Sequence, residues 1–289
     1  MTEIPVLEIG GTHVSAAVID TSTWRPVRPA TRRPLQADGS REEFLAAVAG
    51  AAAHAAPERP ATWGVAMPDP FDYARGIALF AGVGKFDALY GLDVGAAFAR
   101  RLGAGHRFAF LNDADAFTLG EWAHGAGAGA GRCAGLTLGT GVGSGWVVDG
   151  RIVAEGPGVP PGGRAHRLSV DGVPLEDVMS RRAILAAHRA SGGAPSADVA
   201  DVAEACRAGD AAATAVLRTA VSALGTALGP CVRRFGADVL VVGGSMAGSW
   251  DLFEPWFREA APGLPPVRPA ADPEGAALTG AALHALASA

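Results

Sequence analysis

The chain has 289 residues, 49% of them apolar and 18% charged, with a formal net charge of −5. That much apolar sequence excludes a disordered polymer and is enough for about two domains with buried cores. A net negative charge offers no broad basic face to a nucleic-acid backbone. Cys133, Cys206 and Cys231 lie far apart with no C-x-x-C pair, so they are read as reduced thiols packed as small hydrophobes. The N-terminus shows no basic and apolar leader, and no uncharged run is long enough for a bilayer. The expectation is a cytoplasmic protein whose partners include neither nucleic acid nor membrane.

The first element, "LEIGGTHVSAAVID", is an apolar strand that stops at Gly10 and Gly11, turns through Thr12 and becomes apolar again. Such a turn joins two strands of a hairpin. It can also hold a phosphate, because glycine lets backbone N–H groups approach closely and adopt positive φ, while threonine adds a hydroxyl. One copy leaves both readings open. "REEFLAAVAGAAAHAAPERP" predicts a helix with acids in its first turn and proline at its end. "TWGVAMPDPFD" predicts a buried strand running into a proline-rich loop, and "DVGAAFARRLG" a second helix with a glycine stop. "RFAFLNDADAFTLGEW" then predicts a strand that delivers Asn112 and Asp113 directly into a helix. Asn and Asp are favoured helix caps, and strand C-terminal ends are also where open α/β sheets present ligands.

"AHGAGAGAGR" predicts a flexible loop. "CAGLTLGTGVGSGWVVDGRIVAEG" then repeats the opening grammar, with Gly139, Thr140, Gly141 and Gly143 at its turn, so the two hairpins form an internal repeat. After a proline- and glycine-rich loop at 157–163, "LEDVMSRRAILAAHRAS" and "DVAEACRAGDAAATAVLRTAVSALGTALGPCVRRFG" predict successive helices. "ADVLVVGGSMAGSWDLFEPWF" is an apolar strand ending in Gly243, Gly244 and Ser245 before another helix, and "EGAALTGAALHALA" closes as a small-residue helix. Three such turns, each after a buried strand, favour a nucleotide-phosphate site at residues 10–12, 139–145 and 243–249 over three unrelated turns.

In this order, "LEIGGT", "LNDADAFTLGEW", "GTGVGSG", "VVGGSMAGS" and "EGAALTGAALHA" resemble the motifs of the ROK family of sugar kinases and repressors over nearly the full length. The resemblance implies an α/β, two-lobed sugar kinase/actin/Hsp70-like (ribonuclease H-like) fold with a central cleft. It implies an N-terminal lobe of residues 1–112, with helix 275–289 packing back on it, and a larger lobe of residues 113–274. ATP and Mg2+ are the implied cofactors, and a homodimer the implied assembly. Asp113 would accept a proton from a primary sugar hydroxyl as that oxygen attacks the γ-phosphoryl. One positioned carboxylate suffices, because phosphoryl transfer asks mainly for alignment and charge neutralisation. Gly10, Gly11, Thr12, Gly139, Thr140, Gly141, Gly143, Gly243, Gly244 and Ser245 fall on the nucleotide side, with Glu8 near the Mg2+. Asn112, His166, Glu176 and Lys85 fall on the substrate side.

Departures from the family pattern bear on substrate and metal. Glu8 stands where the family has Asp, which shifts the carboxylate by one methylene. The family's zinc cluster is replaced by "AHRLSVDGVPLEDVMS", which has no cysteine, so no structural zinc is expected. The family's Gly-Glu-x-Gly-His is here Gly162-Gly163-Arg164-Ala165-His166, so a sugar-gripping glutamate becomes Gly163. Its loss points to a modified hexose, such as an amino sugar or a cyclitol. An ordinary glucokinase or hexose kinase, and a non-catalytic sugar sensor of the same fold, are the alternatives. A repressor would need a helix-turn-helix before the first hairpin, and Glu8 leaves no room for one. Lys85, the only lysine, is either a surface residue or a contact to substrate or phosphate.

Overall fold

The computed structural model describes residues 3–195 and 197–288. Strands β1 (Glu3–Ile9) and β2 (His13–Asp20) pair antiparallel, from Glu3↔Asp20 to Ile9↔Val14. Their near-continuous apolar runs suit a sheet covered on both faces, and Val6, Leu7, Ile9 and Val14 are fully buried. Short strands β3 (Arg25–Pro26) and β4 (Thr31–Pro34) pair with β2. Helix α1 (Arg41–Ala52) starts at a capping box in which the Ser40 and Glu43 side chains each accept the other's backbone N–H. Parallel pairing then adds β5 (Thr62–Met67) beside β1. A two-stranded ribbon, β6 (Phe71–Asp72) with β7 (Ile77–Ala78), and helix α2 (Val94–Leu102) lead to β8 (Arg107–Asn112), which joins β5 in parallel. Helix α3 (Asp113–His124) follows β8 without a loop.

The chain divides into two compact units: one takes the chain up to Gly120 together with the segment from Glu274 onward, the other Glu121–Pro273. The C-terminal helix Pro273–Ala287 is brought against the first sheet by its small residues. A Cβ on Gly64 of β5 would overlap the Ala281 carbonyl, and one on Gly280 would overlap the Ala116 carbonyl. Only glycine permits backbones to pack this closely. The unit's core is aromatic: Phe44, Phe80, Phe86 and Phe98 are buried, with Phe44 meeting Phe86 edge-on at 5.6 Å.

In the second unit the hairpin motif recurs as β9 (Arg132–Leu138) and β10 (Val142–Val148), paired from Val142↔Leu138 to Val148↔Arg132. Strand β11 (Arg151–Ile152) extends it. The segment that carries the cysteine cluster in the family forms a small hairpin here, β12 (Ser169–Val170) and β13 (Val173–Pro174). Helices α4 (Glu176–Met179), α5 (Arg181–Ala190), α6 (Val199–Arg207) and α7 (Ala211–Phe235) follow. Strand β14 (Val239–Gly243) joins β9 in parallel, and after α8 (Trp250–Ala260) strand β15 (Val267–Pro269) joins β14 in parallel.

Helix α7 has 25 residues and contains an 18-residue stretch of mean hydropathy 1.4, long and apolar enough by composition to cross a bilayer, which the expectation from sequence did not include. Its apolar stripe, including Leu217, Val221, Leu224, Leu228 and Val232, is buried in the core of its unit. A Cβ on Gly225 would come within 2.8 Å of the Phe257 carbonyl oxygen, so α7 and α8 cross at close range. The segment read as a flexible loop is also held: Glu121 Oε2 accepts the Ala126 N–H at 2.7 Å, and Trp122 Nε1 donates to the Ala130 carbonyl at 2.7 Å. All three cysteines are free, and burial pushes the Cys133 thiol up to about 12, which keeps it inert.

Candidate active site

Within the first unit, the β1–β2 turn is closed by the Gly10 N–H donating to the His13 carbonyl at 2.9 Å. Neither Gly10 nor Gly11 has positive φ, contrary to the conformational role expected of them. Their contribution is steric: nothing lies within 4 Å of where a Gly11 Cβ would stand, so the backbone is open to a ligand there. Glu8 is the next-to-last residue of the strand before this turn, and its Oε2 is buried without a hydrogen-bond partner. A carboxylate oxygen in that condition suits a cation.

The β8–α3 junction places Asn112 and Asp113. Asn112 Oδ1 accepts the N–H groups of Ala114 at 3.0 Å and Asp115 at 3.3 Å, so this side chain caps α3. Its Nδ2 donates to Asp69 Oδ2 at 3.3 Å and to the Tyr73 hydroxyl oxygen at 3.1 Å. The Tyr73 hydroxyl in turn lies 3.0 Å from Asp69 Oδ1. Asn112 therefore ties the strand end to the loop after β5. Asp113 keeps an accessible edge. The Ala114 N–H reaches only one of its oxygens, Oδ1, at 2.9 Å. Burial pushes the Asp113 carboxyl above its ordinary value; the Lys85 ammonium and the Ala114 N–H pull it down, while Glu8 and Asp69 push it up. Lys85 is thus within electrostatic reach of Asp113.

In the second unit, parallel pairing sets Gly243 opposite Thr137 and brings the end of β14 beside the β9–β10 turn. The Gly139 N–H donates to the Gly141 carbonyl at 3.1 Å, and a Cβ on Gly139 would stand 3.6 Å from Ser245 Oγ. Gly244 has φ +85°, and a Cβ there would overlap the Leu138 backbone. A Cβ on Gly141 would overlap Glu176 Oε1, so that carboxylate lies against the turn. Thr140 is exposed at the tip, and Gly143 lies in β10 opposite Thr137.

The segment 162–167 is pinned to β10. Ser144 Oγ donates to the Gly163 carbonyl at 2.7 Å and accepts the Ala165 N–H at 2.8 Å, and Trp146 Nε1 donates to the same carbonyl at 3.1 Å. Gly163 has φ +78°. The residue read as a lost carboxylate is therefore also a backbone requirement, because side chains rarely adopt that conformation. Arg164 beside it is buried and His166 half-buried.

The sequence-derived residues fall into two groups. Glu8, Gly10, Gly11, Thr12, Lys85, Asn112 and Asp113 belong to the first unit; Gly139, Thr140, Gly141, Gly143, His166, Glu176, Gly243, Gly244 and Ser245 belong to the second. Asp69 and Tyr73 escaped the sequence reading. Their only signal was two polar side chains in a proline-rich loop following a buried strand.

The family model described as "ROK family" matches residues 5–166. The glucokinase of Thermotoga maritima is 27% identical over 277 residues, covering 88% of this chain and 85% of that protein. Among solved structures, the ROK hexokinase from Thermus thermophilus is 26% identical, with a TM-score of 0.79 over 99% of both chains. The inorganic polyphosphate/ATP-glucomannokinase from Arthrobacter sp. strain KM is 25% identical, with a TM-score of 0.72 over 100% of both. The two sheets, each begun by a hairpin, are therefore those of the sugar kinase/actin/Hsp70-like fold.

Proposed function

Because the chain belongs to the ROK family, we propose that it is an ATP-dependent sugar kinase with Asp113 as its general base. The observation that carries this reading is Asp113 itself: delivered by a strand end, held through one oxygen, with its proton affinity raised by burial and trimmed by Lys85. As the acceptor oxygen attacks the γ-phosphoryl, its proton passes to Asp113, the new O–P bond forms, and the bond to the β-phosphate oxygen breaks to release ADP. Lys85 lowers the proton affinity of the base, and Asn112 holds Asp69 and Tyr73 in register rather than touching substrate with a free amide.

The turns of the second unit suit nucleotide phosphates for a reason of space. At Gly244 any Cβ would meet the Leu138 backbone, so backbone alone forms that surface, with Ser245 adding a hydroxyl; at Gly141 the Glu176 carboxylate would have to turn away from a phosphate. Glu8, whose buried Oε2 has no hydrogen bond and has His13 beside it at 3.5 Å, suits the Mg2+ that accompanies ATP. When bound, that ion neutralises phosphate charge.

The acceptor is a modified hexose, an amino sugar or a cyclitol, phosphorylated at a primary hydroxyl where it has one. What supports this is the segment 162–167, where Gly163 takes the glutamate's place in a left-handed backbone and Arg164 is buried alongside. A panel of hexoses, amino hexoses and cyclitols, read by ATP consumption, tests the assignment. The expected result is a kcat/KM for at least one modified hexose or cyclitol above that for glucose. Glucose as the best acceptor would make this an ordinary glucokinase, and sugar binding without ATP turnover would make it a sensor.

A further inference from the structure

Three side chains of the first unit converge on one point for which proton transfer has no use. Glu8 stands one residue before the end of β1, His13 opens β2, and Glu274 lies in the first turn of the C-terminal helix. One donor atom from each, two carboxylate oxygens and an imidazole nitrogen, all lie within 4.8 Å of one another. Glu8 Oε2 is buried with no hydrogen bond and stands 3.5 Å from His13 Nε2. The Ser15 hydroxyl donates to Glu274 Oε1 and so orients that carboxylate. Glu274 Oε2 meets Arg32 Nη1 at 3.3 Å, and Arg32 Nη2 is 3.2 Å from His13 Nδ1. The Arg32 side chain is 58% exposed, so its hold on the cluster is that of a surface ion pair, which is weak.

We propose that Glu8, His13 and Glu274 form a divalent-cation site that takes a borderline transition ion such as Mn2+ or Zn2+ directly, with Arg32 as a built-in competitor. One imidazole and two carboxylates suit such ions, whereas Mg2+ favours oxygen donors and keeps its waters. Metal–ligand bonds of about 2.0–2.2 Å need donors roughly 3–3.5 Å apart, so the cluster must contract by about 1 Å, within the reach of glutamate rotamers.

The histidine supplies the switch. A guanidinium can only donate, so while Arg32 is in place Nδ1 accepts and the ring hydrogen sits on Nε2, facing Glu8. Once Arg32 swings into solvent, the hydrogen moves to Nδ1, where Thr12 Oγ1 at 3.2 Å accepts it, and Nε2 is free to ligate. This site shares Glu8 with the reading of the kinase but needs neither nucleotide nor catalysis.

Calorimetric titration of the nucleotide-free full chain with Mn2+, Zn2+ and Mg2+ tests it, with circular dichroism confirming that each variant folds. The expected result is one Mn2+ or Zn2+ per chain and at least ten-fold weaker Mg2+. His13→Ala should weaken Mn2+ binding at least ten-fold, and Arg32→Ala should tighten it several-fold by removing the competing charge. The proposal is overturned if neither wild type nor Arg32→Ala binds Mn2+ or Zn2+, or if His13→Ala leaves affinity unchanged. Should His13→Ala not fold, the exposed Arg32→Ala decides alone: tightening supports the site, and unchanged or weaker binding refutes it. The titration contains no ATP or sugar, so its failure leaves the kinase reading intact, and absence of turnover leaves the metal site intact.

Discussion

The hairpin β1–β2 ends in side chains, with Glu8 before the turn and His13 after it, and above Gly11 there is open space. The hairpin β9–β10 ends in close packing: a Gly139 to Gly141 hydrogen bond, the Glu176 carboxylate against Gly141, and the Gly244 backbone against Leu138. The same strand pairing therefore carries charge in one unit and close approach in the other. One turn should tolerate added atoms but not lost charges near it, and the other the reverse.

The strongest way to break that contrast is to remove the charge of Asp113. Asp113→Asn should lower kcat by roughly 10²-fold or more in a steady-state assay with the best acceptor. It should also stabilise the protein at neutral pH. A carboxyl whose folded value is raised contributes stability while protonated and loses it as pH rises through that value, so the ionised wild-type group is the less favourable state. Differential scanning calorimetry should show Asn raising Tm near pH 7. That advantage should vanish as pH falls below the ordinary carboxylate value of 3.8. Unchanged turnover would remove Asp113 from the chemistry.

A paired substitution sharpens the same contrast at the turns. Gly244→Ala introduces a side chain at φ +85° against the Leu138 backbone and should cost about 2–3 kcal/mol in chemical denaturation, together with weaker ATP use. Gly11→Ala, with nothing within 4 Å of the new methyl, should stay within about 0.5 kcal/mol of wild type. Equal losses would mean that the two turns are built alike.

Gly163→Glu, which restores the family residue, should fail to improve glucose phosphorylation and should lose about 1–2 kcal/mol of stability, because the backbone there is left-handed. A gain in glucose use would show that the missing carboxylate, rather than loop shape, sets the acceptor. The smallest effect belongs to Lys85→Met. Lys85 lowers the Asp113 carboxyl, so its removal should move the acid limb of the pH–rate profile upward, with the plateau little changed. An unmoved limb would return Lys85 to the surface.

What the sequence made legible was local. The two hairpins, the glycine turns and the direct passage from β8 into α3 each announce themselves within a dozen residues, through apolar runs that end in residues with few conformational rivals. Contacts made between distant segments were hidden. Glu274 meets Ser15 and Arg32 because the last helix folds back on the first sheet; the family resemblance implied that return, but nothing near position 274 signals which side chains it brings together. Asp69 and Tyr73 looked like loop polarity until Asn112 was seen to bond both. Gly163 was legible as a missing carboxylate but not as a left-handed backbone, since φ depends on the carbonyl being held by Ser144 and Trp146.

The return of the C-terminal helix also orders events at the ribosome. Gly64 and Ala116 receive their partners Ala281 and Gly280 only after the whole intervening unit has been translated. The Glu121–Pro273 segment is contiguous and emerges complete before them. The first unit is thus closed only after the second has been made.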